Sequence, residues 1–197
     1  MAYDITQLAL SLVKPENELP DPEQLLFYRQ LEKREIWLDT DIDYESCAFI
    51  IQYIKYLNLA EAEDKTPIKI HIFSGGGSIE VMFMLYTAIR ESEIPVWTIN
   101  EGAAHSAAFI IFLAGDKRTM KPYAHFVAHE GSAGMSGTAR ETKAAMADYE
   151  IDIANMRAIF AERTNLTEDE IQEKYDMTSD WYIRKTDALK YGIITEE

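Results

Sequence analysis

The chain of 197 residues has one cysteine, Cys47, and few basic residues, with 19 Lys and Arg against 34 Asp and Glu. A single cysteine excludes a disulfide within the chain, as is usual for proteins of a reducing compartment. The net charge of −15 argues against nucleic acid or an anionic membrane as the main partner, because both are bound by basic surfaces.

Long apolar runs are also missing from the sequence. The most apolar window, residues 107–115, is far shorter than the roughly 20 residues that a membrane-spanning helix needs. The first 20 residues have neither the basic start nor the small-residue cleavage site of a signal peptide. We therefore expect a soluble, cytoplasmic protein with no membrane partner.

The residues that are present predict one folded domain in which strands and helices alternate. An apolar fraction of 47% is enough to form a core. Apolar periodicity predicts strands at residues 35–38, 68–73, 95–100 and 124–128, helices at 25–31, 44–59, 79–90 and 103–114, and a long helix from beyond Gly137 to about residue 163. A turn is predicted at Glu101-Gly102, and Thr167-Glu-Asp-Glu170 predicts the start of a further helix. This alternation is typical of an α/β fold with parallel strand pairing.

Two stretches place a glycine turn between a strand and the start of a helix. The free N–H groups and partial positive charge of a helix start suit an anion or an oxyanion. The first stretch, Ser74-Gly-Gly-Gly-Ser78, lacks the Lys-Ser/Thr pair of a P-loop and the spacing of a dinucleotide fingerprint. Taken alone, such a stretch is more often only a tight connection.

The second stretch, Gly102-Ala-Ala-His-Ser106, surrounds a serine with small residues that leave room for a substrate carbonyl. A nucleophilic serine needs a base such as histidine. The chain has four histidines, His71, His105, His125 and His129. Asp176 and Asp180 could each be the acidic third residue that orients the histidine of such a catalytic set. Since a lone serine at a helix start is usually a cap, this pattern by itself leaves the base and the acid open.

Four short blocks in the sequence together match the pattern of one enzyme family. They are Ser74–Ser78, Gly102–Ser106, Pro122–His129 and Asp180–Ile194, in that order along the chain. From Leu25 onward the chain resembles the proteolytic subunit of the Clp protease (ClpP), in the crotonase-like superfamily. The resemblance implies an α/β fold of repeated ββα units with a protruding handle helix. It also implies a single serine peptidase domain over residues 25–197, after a poorly matched N-terminal extension at residues 1–24.

The resemblance implies a role for each matched residue. Ser106 is the expected nucleophile, His129 the general base and Asp180 the carboxylate that orients the base. The backbone N–H groups of Gly76 and Ala107 are the expected oxyanion hole. No metal ion or other cofactor is expected.

A competing alignment places His105 at the nucleophile position and makes the chain an inactive relative. We prefer Ser106, because this alignment keeps the helix ungapped and needs a deletion of about two residues only in the turn at 115–118, and turns tolerate deletions.

The activity implied is that of an ATP-dependent type of serine endopeptidase, which cleaves unfolded polypeptides inside a ring chamber. The implied partners are further copies of the chain, in heptameric rings stacked as a tetradecamer, and an AAA+ unfoldase that binds the ATP. Residues 131–137 and the helix after them take the place of the handle that joins the rings. Two alternatives are a catalytically inactive structural subunit and a crotonase-type acyl-CoA enzyme.

Overall fold

The structure, a computed structural model, describes residues 21–131, 134–176 and 179–196. Residues 1–20, most of the predicted N-terminal extension, lie outside these ranges. In chain order the elements are α1 (Pro22–Glu32), β1 (Glu35–Leu38), α2 (Tyr44–Ala60), β2 (Ile68–Ser74), α3 (Ile79–Arg90), β3 (Val96–His105), α4 (Ala107–Leu113), β4 (Lys117–Met120), β5 (His125–Ala128), α5 (Ala139–Arg163), α6 (Glu168–Ile171), a π-helical turn (Gln172–Asp176), β6 (Trp181–Ile183) and α7 (Lys185–Lys190). The predicted α/β class is confirmed.

The strands form one sheet in the order β1-β2-β3-β5-β6, and β4 also pairs with β3. The long strand β3 pairs in parallel with β2 along one side, and with β4 and then β5 along the other. β6 returns antiparallel to β5. Because β2, β3 and β5 run in parallel, their last residues, Ser74, His105 and Ala128, lie at the same edge of the sheet. The carboxyl edge of parallel strands is where α/β proteins bind their ligands.

Helices cover one face of the sheet and leave the other face open in the single chain. Alternate side chains of β1 and β2 are buried, as in the run Ile68, Ile70 and Ile72. The helix α4 contacts β2 and β3, and all seven of its residues are buried. The strand residues between them, such as Trp37 and Phe73, lie on the other face of the sheet and are exposed. The core therefore lies between the sheet and α4, directly behind Ser106.

Strand β3 is longer than the periodicity predicted. It continues through residues 101–105 and α4 begins at Ala107, so the predicted turn at Glu101-Gly102 and the predicted helical start at Ala103 are wrong. The cause is tertiary, because residues 103–105 pair with β5 and this pairing overrides the helical preference of alanine. The short strands β4 and β6 were not predicted, since three or four residues carry little periodicity.

The helix α5 corresponds to the predicted handle. A capping box starts it, in which the Thr138 N–H donates to Glu141 Oε2 at 2.7 Å and the Glu141 N–H donates back to Thr138 Oγ1 at 3.4 Å. Its buried residues, Met156, Ile159 and Phe160, all lie near its C-terminal end, so the first half is mostly exposed. No helix in the described part of the chain combines the length and apolarity needed to cross a membrane.

Candidate active site

Ser106 lies at a sharp junction between β3 and α4. Its φ of 53° and ψ of −125° are in a region that residues other than glycine rarely adopt. The backbone is held there because the Ser106 N–H donates to the Val127 carbonyl at 2.8 Å, and the Ser106 carbonyl accepts from Phe109 at 3.0 Å. The hydroxyl makes no capping bond to α4. Strained strand-to-helix turns of this kind present the nucleophile in many hydrolases.

Gly76, in the turn after β2, packs directly against this junction. Its φ is +105°, and a Cβ at this position would lie 2.7 Å from Ser106 Cβ and 3.2 Å from the Ala107 nitrogen. As the first residue of α4, Ala107 has an N–H group with no partner inside the helix. The structure thus brings the two residues of the predicted oxyanion hole next to the predicted nucleophile.

The two N–H groups in the middle of the glycine turn differ in their hydrogen bonding. The Gly76 N–H donates to the Ser74 hydroxyl at 3.2 Å. Ile42 pairs with both sides of Gly77, donating to the Gly76 carbonyl at 2.8 Å and accepting from the Ser78 N–H at 2.7 Å. In such a parallel bridge the Gly77 N–H points away from Ile42. Among the described residues, the Gly77 N–H has no hydrogen-bond acceptor.

His129 and Asp180 are brought together by the pairing of β5 with β6. His129 directly follows β5, and Asp180 directly precedes β6. The His129 Nδ1 atom lies 3.7 Å from Asp180 Oδ1, within ion-pair reach but beyond a hydrogen bond. Such bonds are often long in unliganded enzymes and tighten on substrate. Asp176, the other carboxylate considered, instead forms a short ion pair with Arg157.

The other three histidines contact different partners. On the open face of the sheet, His71 Nδ1 lies 2.7 Å from Glu101 Oε1. The Nε2 atoms of His105 and His125 are 3.0 Å apart. Burial, followed by the effect of nearby His125, lowers the pKa of His105. Of the four histidines, His129 is the one that lines the recess described next.

Ser106 and His129 line the same small apolar recess, which opens to solvent. Its apolar walls are formed mainly by Ile79, Met82, Phe109, Met156, Phe160 and Tyr175. Sequence reasoning missed these wall residues, because they come from α3, α4, α5 and the π-helical turn. Their one sequence signal is apolar periodicity, which does not distinguish a pocket wall from a core.

The segment after His129 is held by a contact from α5 that the sequence analysis also missed. The Tyr149 hydroxyl donates to the Glu130 carbonyl at 2.7 Å. A Cβ on Gly131 would approach the same hydroxyl to 2.9 Å, so the helix packs closely on this segment. Burial, and then the Glu130 carboxylate, raise the pKa of Tyr149. The helix α5 therefore supports one rim of the recess.

Comparison with known proteins connects this site to one family. The family model described as Clp protease matches residues 22–196. The ATP-dependent Clp protease proteolytic subunit 2 of Treponema denticola is 29% identical over 173 residues, 87% of this chain and 84% of the relative. The protein of the same name in Tropheryma whipplei is 30% identical over 180 residues, 89% of this chain and 97% of the relative. The ATP-dependent Clp protease proteolytic subunit of Deinococcus radiodurans is 26% identical over 173 residues, 87% and 83% of the two chains. Because the family match covers nearly the whole chain, this protein belongs to the Clp protease family.

Proposed function

We propose that this chain is a serine endopeptidase subunit in which Ser106 is the nucleophile, His129 the general base and Asp180 the orienting carboxylate. The observation that carries the proposal is the Ser106 junction. A strained serine, whose hydroxyl caps no helix, lies against a glycine turn and shares an apolar recess with His129. The 3.7 Å approach of Asp180 to the far nitrogen of His129 supports the remaining two roles.

The reaction proceeds through an acyl-enzyme. Ser106 Oγ attacks the peptide carbonyl carbon while His129 Nε2 takes the hydroxyl proton. Asp180, beside Nδ1, favours the tautomer with a free Nε2 lone pair and stabilises the imidazolium that forms. His129 then gives the proton to the leaving amine, so the C–N bond breaks and the acyl group remains on Ser106. A water molecule that His129 deprotonates hydrolyses this ester and restores the serine.

The charge that develops on the carbonyl oxygen is stabilised by backbone donors. The Ala107 N–H is one donor, and the glycine turn contributes the other. Gly76, the residue proposed from the sequence, first has to release its 3.2 Å bond to Ser74, whereas the Gly77 N–H requires no such exchange. Removing one donor of an oxyanion hole typically costs a factor on the order of 10²–10³ in rate.

The recess beside Ser106 supports a preference for apolar substrate residues. Its aromatic and aliphatic walls offer no charge to pair with a basic side chain, apart from Glu130. The flexible side chains of Met82 and Met156 allow the walls to adapt to groups of different shape. We expect cleavage to occur next to an apolar residue.

The family membership supports a proposal about partners. The relatives named above are subunits of ATP-dependent proteases. We propose that copies of this chain form heptameric rings, stacked as a tetradecamer in the cytoplasm, and work with an AAA+ unfoldase. The missing P-loop lysine after Ser74–Ser78 supports ATP binding by that partner. The exposed apolar residues Met146 and Ile151 on α5 support contact between the rings.

A fluorophosphonate probe tests the nucleophile. We expect the probe to label Ser106, and we expect Ser106→Ala to abolish labelling and peptide cleavage. The matched control is Ser78→Ala, because Ser78 is a true cap whose Oγ accepts from the Val81 N–H. This control should lose stability, by about 1 kcal/mol, but keep its labelling. Retained cleavage in Ser106→Ala would falsify the assignment, as would loss of labelling in His105→Ala but not in His129→Ala.

The same preparation separates the alternatives. The family match and the names of the relatives support a peptidase rather than an inactive subunit, and we find no observation that favours an acyl-CoA enzyme. The isolated chain should cleave short peptides but not folded proteins. Ready degradation of a folded substrate without an unfoldase contradicts the proposed chamber.

A further inference from the structure

A pair of histidines, one of which directly precedes Ser106 in the chain, has no role in the proposed mechanism. His105 ends β3 and His125 begins β5. The register places Ala103 opposite His125 and His105 opposite Val127, so the two histidines are diagonal neighbours on one face of the sheet. Their Nε2 atoms are 3.0 Å apart, and the ring planes are inclined at 55°. Both side chains are partly accessible to solvent.

The two Nε2 atoms lie at hydrogen-bond distance from each other, and two imidazole nitrogens this close are also a donor set for a transition-metal ion. Imidazole is a ligand that Zn²⁺, Cu²⁺ and Ni²⁺ all accept. Both histidines lie on paired strands, so their backbones are held in place before any ion arrives. Sites built on strands are geometrically better defined than sites on loops.

We propose that His105 and His125 bind a divalent transition-metal ion, of the Ni²⁺ or Cu²⁺ type, through their Nε2 atoms. With metal–nitrogen bonds of about 2.0–2.1 Å, a 3.0 Å separation of the nitrogens gives roughly a right angle at the metal. Right angles occur between neighbouring ligands in square-planar and octahedral centres, which Ni²⁺ and Cu²⁺ favour. A tetrahedral Zn²⁺ site requires a wider separation.

The number and type of side chains that could act as ligands near the two histidines narrow the class of ion further. Within the ranges described above, no group of three or more His, Cys, Asp and Glu side chains is arranged to hold a metal. The protein therefore supplies two ligands, and water completes the coordination. Mg²⁺ and Ca²⁺ prefer oxygen ligands, so a pair of imidazoles discriminates against them. A bound ion links the end of β3 to the start of β5, directly before the Ser106 junction.

Calorimetric titration of the untagged chain with NiCl₂ tests the site. We expect one ion per chain, and a weakening by at least about tenfold in His105→Ala and in His125→Ala, since even loss of an outer contact to a metal ligand costs that much. The double variant should be no weaker than either single variant. MgCl₂ should show no binding. Thermal unfolding without metal checks that each variant folds.

The matched control is His71→Ala, which removes a histidine from the same strand-face environment but leaves the pair intact. It should bind Ni²⁺ as the parent does. As a measurement that needs no variant, electron paramagnetic resonance of the Cu²⁺ complex should show hyperfine coupling to two nitrogens. Equal Ni²⁺ affinity in the parent and His125→Ala overturns the proposal, as does loss of binding in His71→Ala or a copper spectrum without nitrogen coupling.

Discussion

At Ser106 the backbone adopts a sparsely populated conformation that costs a non-glycine residue roughly 1–3 kcal/mol. The hydrogen bond to Val127 and the start of α4 hold the residue in it, so the surrounding fold compensates for the local strain. In this conformation the Ser106 hydroxyl makes no capping bond to α4. Gly76 completes this arrangement, since only a residue without a side chain can approach so closely.

Two neighbouring glycines of the turn, Gly75 and Gly76, provide the first comparison. A Cβ at Gly76 meets Ser106 and the His105 carbonyl within 2.9 Å, at a positive φ, whereas a Cβ at Gly75 meets nothing within 4 Å. We expect Gly76→Ala to lower the free energy of unfolding by about 2 kcal/mol or more and to suppress fluorophosphonate labelling. Gly75→Ala should leave labelling unchanged and change stability by less than about 1 kcal/mol. Urea unfolding and labelling rates measure both, and similar behaviour of the two variants argues against close packing at Gly76.

The two aspartates provide a second comparison. Asp180 faces His129, whereas Asp176 pairs with Arg157. We expect Asp180→Asn to slow peptide cleavage by a factor on the order of 10⁴, because asparagine favours the wrong imidazole tautomer. Asp176→Asn should lower the melting temperature but keep the rate per folded molecule. If Asp176→Asn causes the larger loss of rate, the third member of the triad is assigned wrongly.

At the scale of elements, the site is assembled where three parallel strands end and two helices pack behind them. β2 supplies the glycine turn, β3 supplies Ser106 and β5 supplies His129. The helix α5 then reaches back to the segment after β5 through Tyr149. A change in the position of this helix is therefore transmitted to the rim of the recess.

Tyr149→Phe tests that connection. The substitution removes one hydrogen bond to the Glu130 carbonyl, which should cost about 0.5–1.5 kcal/mol of stability. It should also raise the KM for peptides more than it lowers kcat, because the rim positions substrate and takes no part in proton transfer. Tyr123→Phe is the control, since Tyr123 is 94% exposed. A KM equal to that of the control shows that α5 does not position the rim.

At the scale of the whole molecule, one chain leaves two surfaces uncovered. One is the open face of the sheet, where Trp37, Phe73 and Tyr182 are exposed, and the other is the first half of α5. Exposed apolar side chains that share one surface are typical of an interface. Both surfaces therefore support an assembly of several copies.

Light scattering after size-exclusion chromatography measures that assembly. We expect a mass several times the 22.6 kDa of the chain. Placing charge on the exposed apolar side of α5, with Ile151→Asp, should reduce the mass to about half by separating the rings. A clean monomer for the parent chain rules out the chamber.

Some elements of this fold could be predicted from short stretches of the sequence. The alternating run of β2, the stripe of α2 and the capping box at Thr167 are short-range features, and the structure contains all of them. The four motif blocks likewise indicated the family and Ser106. Residues 101–105 were misassigned because this part of the strand depends on partners 22 residues further along the chain.

The sequence by itself determined the alternation of strands and helices, the family and the candidate residues, because each depends on neighbours in the chain. The residue pattern alone left four histidines and two aspartates without partners, and the family resemblance named His129 and Asp180 only as an expectation. Only the tertiary structure decided that His129 faces Asp180, that Asp176 is held by Arg157 and that His105 meets His125. The physical reason is that these contacts join residues from separate elements. Strand pairing and register set which side chains meet, and no local pattern encodes that choice.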